Sequence, residues 1–240
     1  MRRTRRPPSL LDALDDPALF APLFPSPGWD AWRAFCRALT GAPLSGPALD
    51  TFQICTGRQG APTSPATEAW VVSGRRSGKS RIASVIATYL AAWASTDRLV
   101  PGEWGTVLVC AVDKQQAGVV LSYVKALFAV PALRGLVVNE TADSLELRHR
   151  VKIEVRSSNY RRARGVTLLA AILDELAFLR DEASALPDVE LLRALKPALA
   201  TTGGSSWASA VRGVSAGCFG RSTSGTTART ATCWSGRATA

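Results

Sequence analysis

Residues 68–95, EAWVVSGRRSGKSRIASVIATYLAAWAS, constrain the fold more than any other stretch of the sequence. The run AWVVSG is short and apolar and reads as a buried strand; KSRIASVIATYLAAWAS, apolar on most sides, reads as a buried helix. Only a turn containing Gly74 and Gly78 separates them. A chain that passes from strand through such a turn straight into a helix leaves several backbone N–H groups without intrahelical partners. The positive end of the helix dipole points the same way, so the junction makes a cradle for an anion.

Ser73, Gly74, Arg75, Arg76, Ser77, Gly78, Lys79 and Ser80 match the pattern G-x-x-x-x-G-K-[ST], except that Ser73 stands in the first glycine's place. In a phosphate-binding reading the glycines let the backbone approach the anion. Lys79 then reaches the β/γ-phosphates, and the Ser80 hydroxyl is a ligand for Mg²⁺. The competing reading is a chance glycine turn, which the strand before and the helix after argue against. Arg75 and Arg76 inside the cradle are either two solvated charges or groups that sense the terminal phosphate and stabilise transition-state charge.

The rest of the core repeats the alternation. GTVLVCAV is a second apolar strand, and DKQQAGVVLSYVKALFAV has helical spacing. DSLELRHRVKIEVRSSN alternates like one or two half-exposed strands, TLLAAIL is wholly apolar, and PDVELLRALKPAL is helical. This order predicts a mostly parallel central sheet flanked by helices. Three segments follow: an N-terminal arm with a helical and loop subdomain over 1–66, the α/β core over 67–203, and a tail over 204–240. Trp29, Trp32, Phe35, Cys36 and Leu39 form a helical stripe in the first segment, read as packing rather than a platform for stacked bases. The tail is rich in Ser, Thr, Gly, Ala and Arg with no strand or helix period, so it reads as disordered and leaves the sheet with an incomplete C-terminal edge.

The run LLAAIL ends in Asp174 and Glu175. Paired carboxylates closing a buried strand make no sense as packing. In the catalytic reading Asp174 partners Mg²⁺ and Glu175 is the general base that polarises an attacking water. In the other reading both acids cap the next helix. Arg161, Arg162 and Arg164 lie just upstream; one of them, Arg164 first, is a candidate finger onto a neighbouring subunit's nucleotide, and a solvated or DNA-facing loop is the equal alternative.

Composition adds mostly exclusions. The net charge is +10, but four Arg in the first eight residues and four more after residue 204 carry most of it, so basicity says little about the core. Five cysteines without a C-x-x-C pair, and His149 as the single histidine, argue against zinc and against a Ser-His-Asp triad. Cys110 reads as a small core residue and His149 as an ordinary strand residue. No apolar run is long enough to span a bilayer, and acids break the stretch after the basic start, so the expectation is a soluble cytoplasmic protein.

The pieces TGRQGAP, EAWVVSGRRSGKS, GTVLVCAVDKQQAGVVLSYVKAL, RARGVTLLAAILDELAFLRDE and PDVELLRALKPAL, in this order, resemble the large terminase subunit of tailed double-stranded DNA phages. The resemblance spans roughly residues 52–202. It implies a RecA-like, ASCE-type P-loop NTPase using ATP and Mg²⁺, in a phage-infected or lysogenic bacterial host. It implies a homo-oligomeric ring that works with a portal protein and a small terminase subunit to move double-stranded DNA into a capsid. It places Lys79 and Ser80 at the phosphate and metal positions, Asp174 and Glu175 at the acidic pair, and Phe52, Gln53 and TGRQ near adenine. The family's second engine, a nuclease, needs several spaced carboxylates, and no residue after Glu190 is acidic, so the nuclease is expected to be absent. The family also has a strand of the kind LLGISSP after the last core helix. Taking the third base of each codon with the first two of the next, the tail permits such a strand, with a forced Gly at the junction of Trp207 and Ala208. This motivates the expectation of a one-base slip near Gly203 or Gly204. An inactive truncated remnant and another P-loop DNA motor remain as alternatives.

Overall fold

Apolar runs without alternation become the inner strands of a parallel sheet, because helices cover both of its faces. The computed structural model describes residues 7–25, 27–74, 76–111, 114–157, 166–174, 187–211 and 231–236. Its strands are β1 (Glu68–Ser73), β2 (Gly105–Ala111), β3 (Val137–Glu140), β4 (Ser144–Leu147), β5 (Val151–Ser157), β6 (Thr167–Leu173), β7 (Ser205–Val211) and β8 (Ala231–Gly236). They form one sheet in the order β3-β4-β5-β2-β6-β7-β1-β8. From β5 to β8 every pairing is parallel, while β3 and β4 add an antiparallel margin. The mostly apolar β2 is buried along its full length between β5 and β6.

The helices are α1 (Leu10–Asp15), α2 (Asp30–Thr40), α3 (Pro47–Thr56), α4 (Lys79–Ala92), α5 (Lys114–Phe128), the short α6 (Pro131–Arg134) and α7 (Pro187–Thr202). One face of the sheet packs against α4, α5 and the N-terminal helices in a core that includes Val71, Ile86, Val109, Val124 and Ile172. The other face, with Trp70, Leu108, Cys110 and Leu173, meets α7 through Leu191, Leu195 and Leu199. These three leucines recur at helical spacing, and burying each contributes about 2 kcal/mol. No helix among the described residues is long and apolar enough to cross a membrane.

Among the described residues the N-terminal segment holds three α-helices and a 3-10 turn at Ala21–Leu23, where the sequence suggested one helix. Helix α1 is too short to display a period. It forms because Ser9 and Asp12 make a reciprocal capping box, with Asp12 Oδ2 accepting from the Ser9 N–H and Ser9 Oγ accepting from the Asp12 N–H. Its exposed acids alternate with buried Leu10, Leu11, Ala13 and Leu14.

The expectation of a tail without strands, and of an incomplete C-terminal edge, is overturned at 205–211 and 231–236. Strand β7 pairs with β1 over Glu68–Ser73 and with β6 over Ala170–Leu173, and β8 pairs with β1 on its other side. What fixes β7 is the backbone of its neighbours: β1 and β6 each present a row of N–H and C=O groups that burial does not tolerate unpaired. Entry into β7 depends on a glycine pair. Gly203 adopts φ 69° after α7. A Cβ on Gly204 would lie 2.5 Å from the Leu169 carbonyl oxygen and 2.9 Å from Leu199. Residues 212–230 and 237–240 lie outside the described residues.

Candidate functional site

The cradle is the turn between Ser73, the last residue of β1, and Lys79, the first of α4. Gly78 caps the helix in the left-handed region at φ 82°, and Arg76 takes φ 60°. For a residue with a Cβ that conformation costs about 1 kcal/mol, and such strain persists where surrounding structure imposes it. Ser73 does not take a positive φ, so glycine is not required in its place. Its hydroxyl instead accepts a hydrogen bond of 2.9 Å from Ser77 Oγ, and both residues are buried. The Ser77–Ser73 bond thus closes the turn across its base. Arg75 lies outside the described residues.

Asp174 follows β6 directly and is 2 % exposed. Its N–H donates to the Cys110 carbonyl at 2.8 Å, which holds the residue against the end of β2. Ser80 Oγ donates to Asp174 Oδ2 at 2.8 Å across 94 residues of sequence. Two of the residues singled out from sequence therefore meet at one point, beside Lys79, which is 7 % exposed. A hydroxyl and a buried carboxylate on facing elements are hard oxygen donors of the kind that suit Mg²⁺. Among the described residues no group of three or more His, Cys, Asp or Glu gathers. Glu175, Arg161, Arg162 and Arg164 lie outside the described residues.

Electrostatically, the start of α4 is inverted. Its first turn has no acid, while Lys79 and Arg81 sit at the dipole's positive end and Arg76 just precedes it. Such an accumulation is unfavourable alone and favourable facing an anion.

The N-terminal segment grips the cradle, which sequence reasoning missed. Trp32 Nε1 donates to the Ser77 carbonyl at 2.7 Å in a buried bond. Trp29 presses on Gly78 so closely that a Cβ there would meet the indole at 2.6 Å. Phe24 packs edge-on to Trp29 with centroids 4.6 Å apart, and the Arg81 guanidinium lies 4.9 Å from the Trp29 ring and 5.1 Å from that of Phe24. Arg81 also donates to the Leu23 carbonyl. A buried Trp in the stripe was the available signal, because its indole N–H needs an acceptor.

Other expectations fare differently. Phe52, expected near adenine, is fully buried in the core, and the Gln53 amide donates to the Gln59 carbonyl at 2.9 Å. Phe52 thus has no exposed face, while Gln53 is half-buried. His149 lies in the turn between β4 and β5 rather than in a strand, with Nε2 2.8 Å from the Ala91 carbonyl at the end of α4. Cys110 is a core residue, as read; burial pushes its thiol up to about 12, with Arg156 opposing, so it stays a neutral thiol beside the site.

Arg76→Gly is expected to raise the thermal stability of the nucleotide-free chain by about 1 kcal/mol, because it relieves the left-handed strain. The same change should lower ATP turnover if the guanidinium acts on phosphate. Melting curves and hydrolysis assays check the two effects separately.

No family model matches the chain, and no curated protein does. Among solved structures it is similar to the large terminase ATPase domain of Thermus phage P74-26, at 18% identity over 73% of this chain and 68% of that one, with a TM-score of 0.47. An arginine-to-alanine variant of that domain aligns at 21% identity over 67% of this chain and 68% of the other, TM-score 0.44. The large terminase of bacteriophage HK97 aligns at 16% identity over 68% of this chain, TM-score 0.48; the match spans 36% of the HK97 chain.

Proposed function

We propose that the chain is a RecA-like, additional-strand P-loop ATPase, the motor part of a phage large terminase subunit that hydrolyses ATP to drive double-stranded DNA into a capsid. The observation that carries the ATPase reading is the bond from Ser80 to Asp174, which joins the helix end of a phosphate cradle to the acid closing another strand. The order of strands agrees: β7 alone stands between the cradle strand and the acid-bearing strand, as an additional-strand ATPase requires. The assignment to DNA packaging rests on the order of the sequence motifs quoted above.

In this reading the backbone N–H groups of the turn and Lys79 bind the β- and γ-phosphates. Ser80 and Asp174 would hold Mg²⁺, which would supply positive charge against the phosphates. Glu175 takes the proton of the attacking water, and Arg76 stabilises charge on the terminal phosphate. Arg164 reaches into the nucleotide site of the next subunit in a ring built with a portal protein, a small terminase subunit and DNA.

The test is Mg²⁺-dependent release of phosphate from ATP by the purified chain. Hydrolysis per subunit should rise with protein concentration and with added portal and DNA, and Arg164→Ala should abolish that rise. Turnover independent of concentration and unchanged in both Arg164→Ala and Arg162→Ala removes the trans finger. Absence of any nucleotide binding removes the ATPase reading.

A further inference from the structure

The N-terminal segment and the cradle share two contacts that ordinary packing does not require. Trp32 is 3 % exposed, and its only hydrogen-bonding group, the indole N–H, goes to the carbonyl of Ser77 rather than to its own subdomain. That carbonyl belongs to the residue just before Gly78, whose N–H is among those a bound phosphate would use. The Ser77 side chain is held as well, by Ser73. Ser77 is thus fixed from two directions, one of them 45 residues away in sequence. Trp29 covers Gly78 from the same side, and Arg81, the next cation along α4, is engaged by Trp29, Phe24 and the Leu23 carbonyl.

A cradle binds phosphate well only if its N–H groups are already converged, since ordering a glycine-containing loop at the moment of binding lowers affinity. We propose that Trp32 is a positioning residue of the nucleotide site: its bond to the Ser77 carbonyl, backed by Trp29 on Gly78, holds the cradle in its phosphate-binding form, so that the segment preceding β1 sets nucleotide affinity. This rests on the ATPase reading of the cradle. The interaction is made equally before and during the reaction. It therefore acts on binding and not on the chemical step, in contrast to Lys79 or Glu175. It acts on the phosphate end, so ATP and ADP feel it alike.

The experiment compares Trp32→Phe, which keeps a smaller aromatic ring and loses the N–H, with the parent chain. Titration with ATP and with ADP should show both dissociation constants rising about tenfold, the scale of one buried hydrogen bond. KM should rise in proportion with kcat within about twofold. Because Trp32→Phe leaves space in a packed core, an isosteric replacement of Trp32 by benzothienylalanine, with sulfur in place of the N–H, is measured beside it. It should reproduce the affinity loss with a nucleotide-free melting temperature close to the parent's. Nucleotide should also change tryptophan emission, and that change should shrink in Trp29→Phe. Lys79→Ala separates the two layers. If Lys79→Ala binds nucleotide normally, the ATPase reading fails. If Lys79→Ala loses binding while both Trp32 replacements keep parental affinities, the positioning role is overturned and the ATPase reading stands. A fall in kcat at unchanged KM overturns it too.

Discussion

Lys79→Ala is expected to weaken ATP binding a hundredfold or more while the fold survives. Lys79 begins α4 and is nearly buried, 7 % exposed, so its ammonium is held near the cradle rather than swinging in solvent. A charge-assisted hydrogen bond to phosphate in such a place contributes about 2–3 kcal/mol, and the lost positive charge adds to this through the reduced dielectric. Alanine is the best helix former, so α4 tolerates the change. Calorimetric titration with ATP checks affinity, and circular dichroism checks the helix. Parental affinity in a folded Lys79→Ala chain would show that the cradle does not hold phosphate.

Glu175→Gln is expected to leave ATP affinity close to parental and to reduce turnover about 10²–10⁴-fold, the usual contribution of a positioned general base. The amide keeps the shape and one acceptor oxygen but cannot take up the water's proton. Asp174 is the counterpart. It is bonded to Ser80 at 2.8 Å, so Asp174→Asn should impair Mg²⁺-dependent binding as well as turnover. Equilibrium binding measured beside single-turnover hydrolysis distinguishes the two acids. Undiminished hydrolysis in Glu175→Gln transfers the base to another residue.

The core was legible where burial is written into residue type. β1, β2 and β6 are apolar runs, and the acid that follows β6 meets the serine that follows Gly78 and Lys79. β7 was illegible because SSWASAV carries no apolar alternation; its strand form follows from two neighbours in register, which a linear pattern cannot display. α1 escaped because a capping box, not periodicity, makes it. The tryptophan stripe was read correctly as packing for Phe35 and Cys36. The destination of one indole N–H, however, depends on a contact that only the folded chain creates. Ser73 looked like a defect in the glycine pattern and is the acceptor for Ser77.

Among the described residues the strand carrying the cradle pairs with β7 and β8, and both come from residues 205–236. By contrast β3, β4, β5, β2 and β6 are mutual neighbours and are complete once residue 173 has been made. On a ribosome, the half of the sheet ending in Asp174 can therefore pair long before β1 finds any strand to lie against. Through that interval β1 is an apolar strand with unpaired edges, covered on its faces by α4, the N-terminal helices and, once made, α7. The meeting of Ser80 with Asp174 waits for Ser205–Val211 to thread between two preformed halves, a long-range step of the kind that makes folding slow. Vectorial synthesis thus delays assembly of the site until Ser205–Val211 has been made, and a chaperone that shields β1 is expected to raise the yield of chains with a formed cradle more than the yield of helical structure.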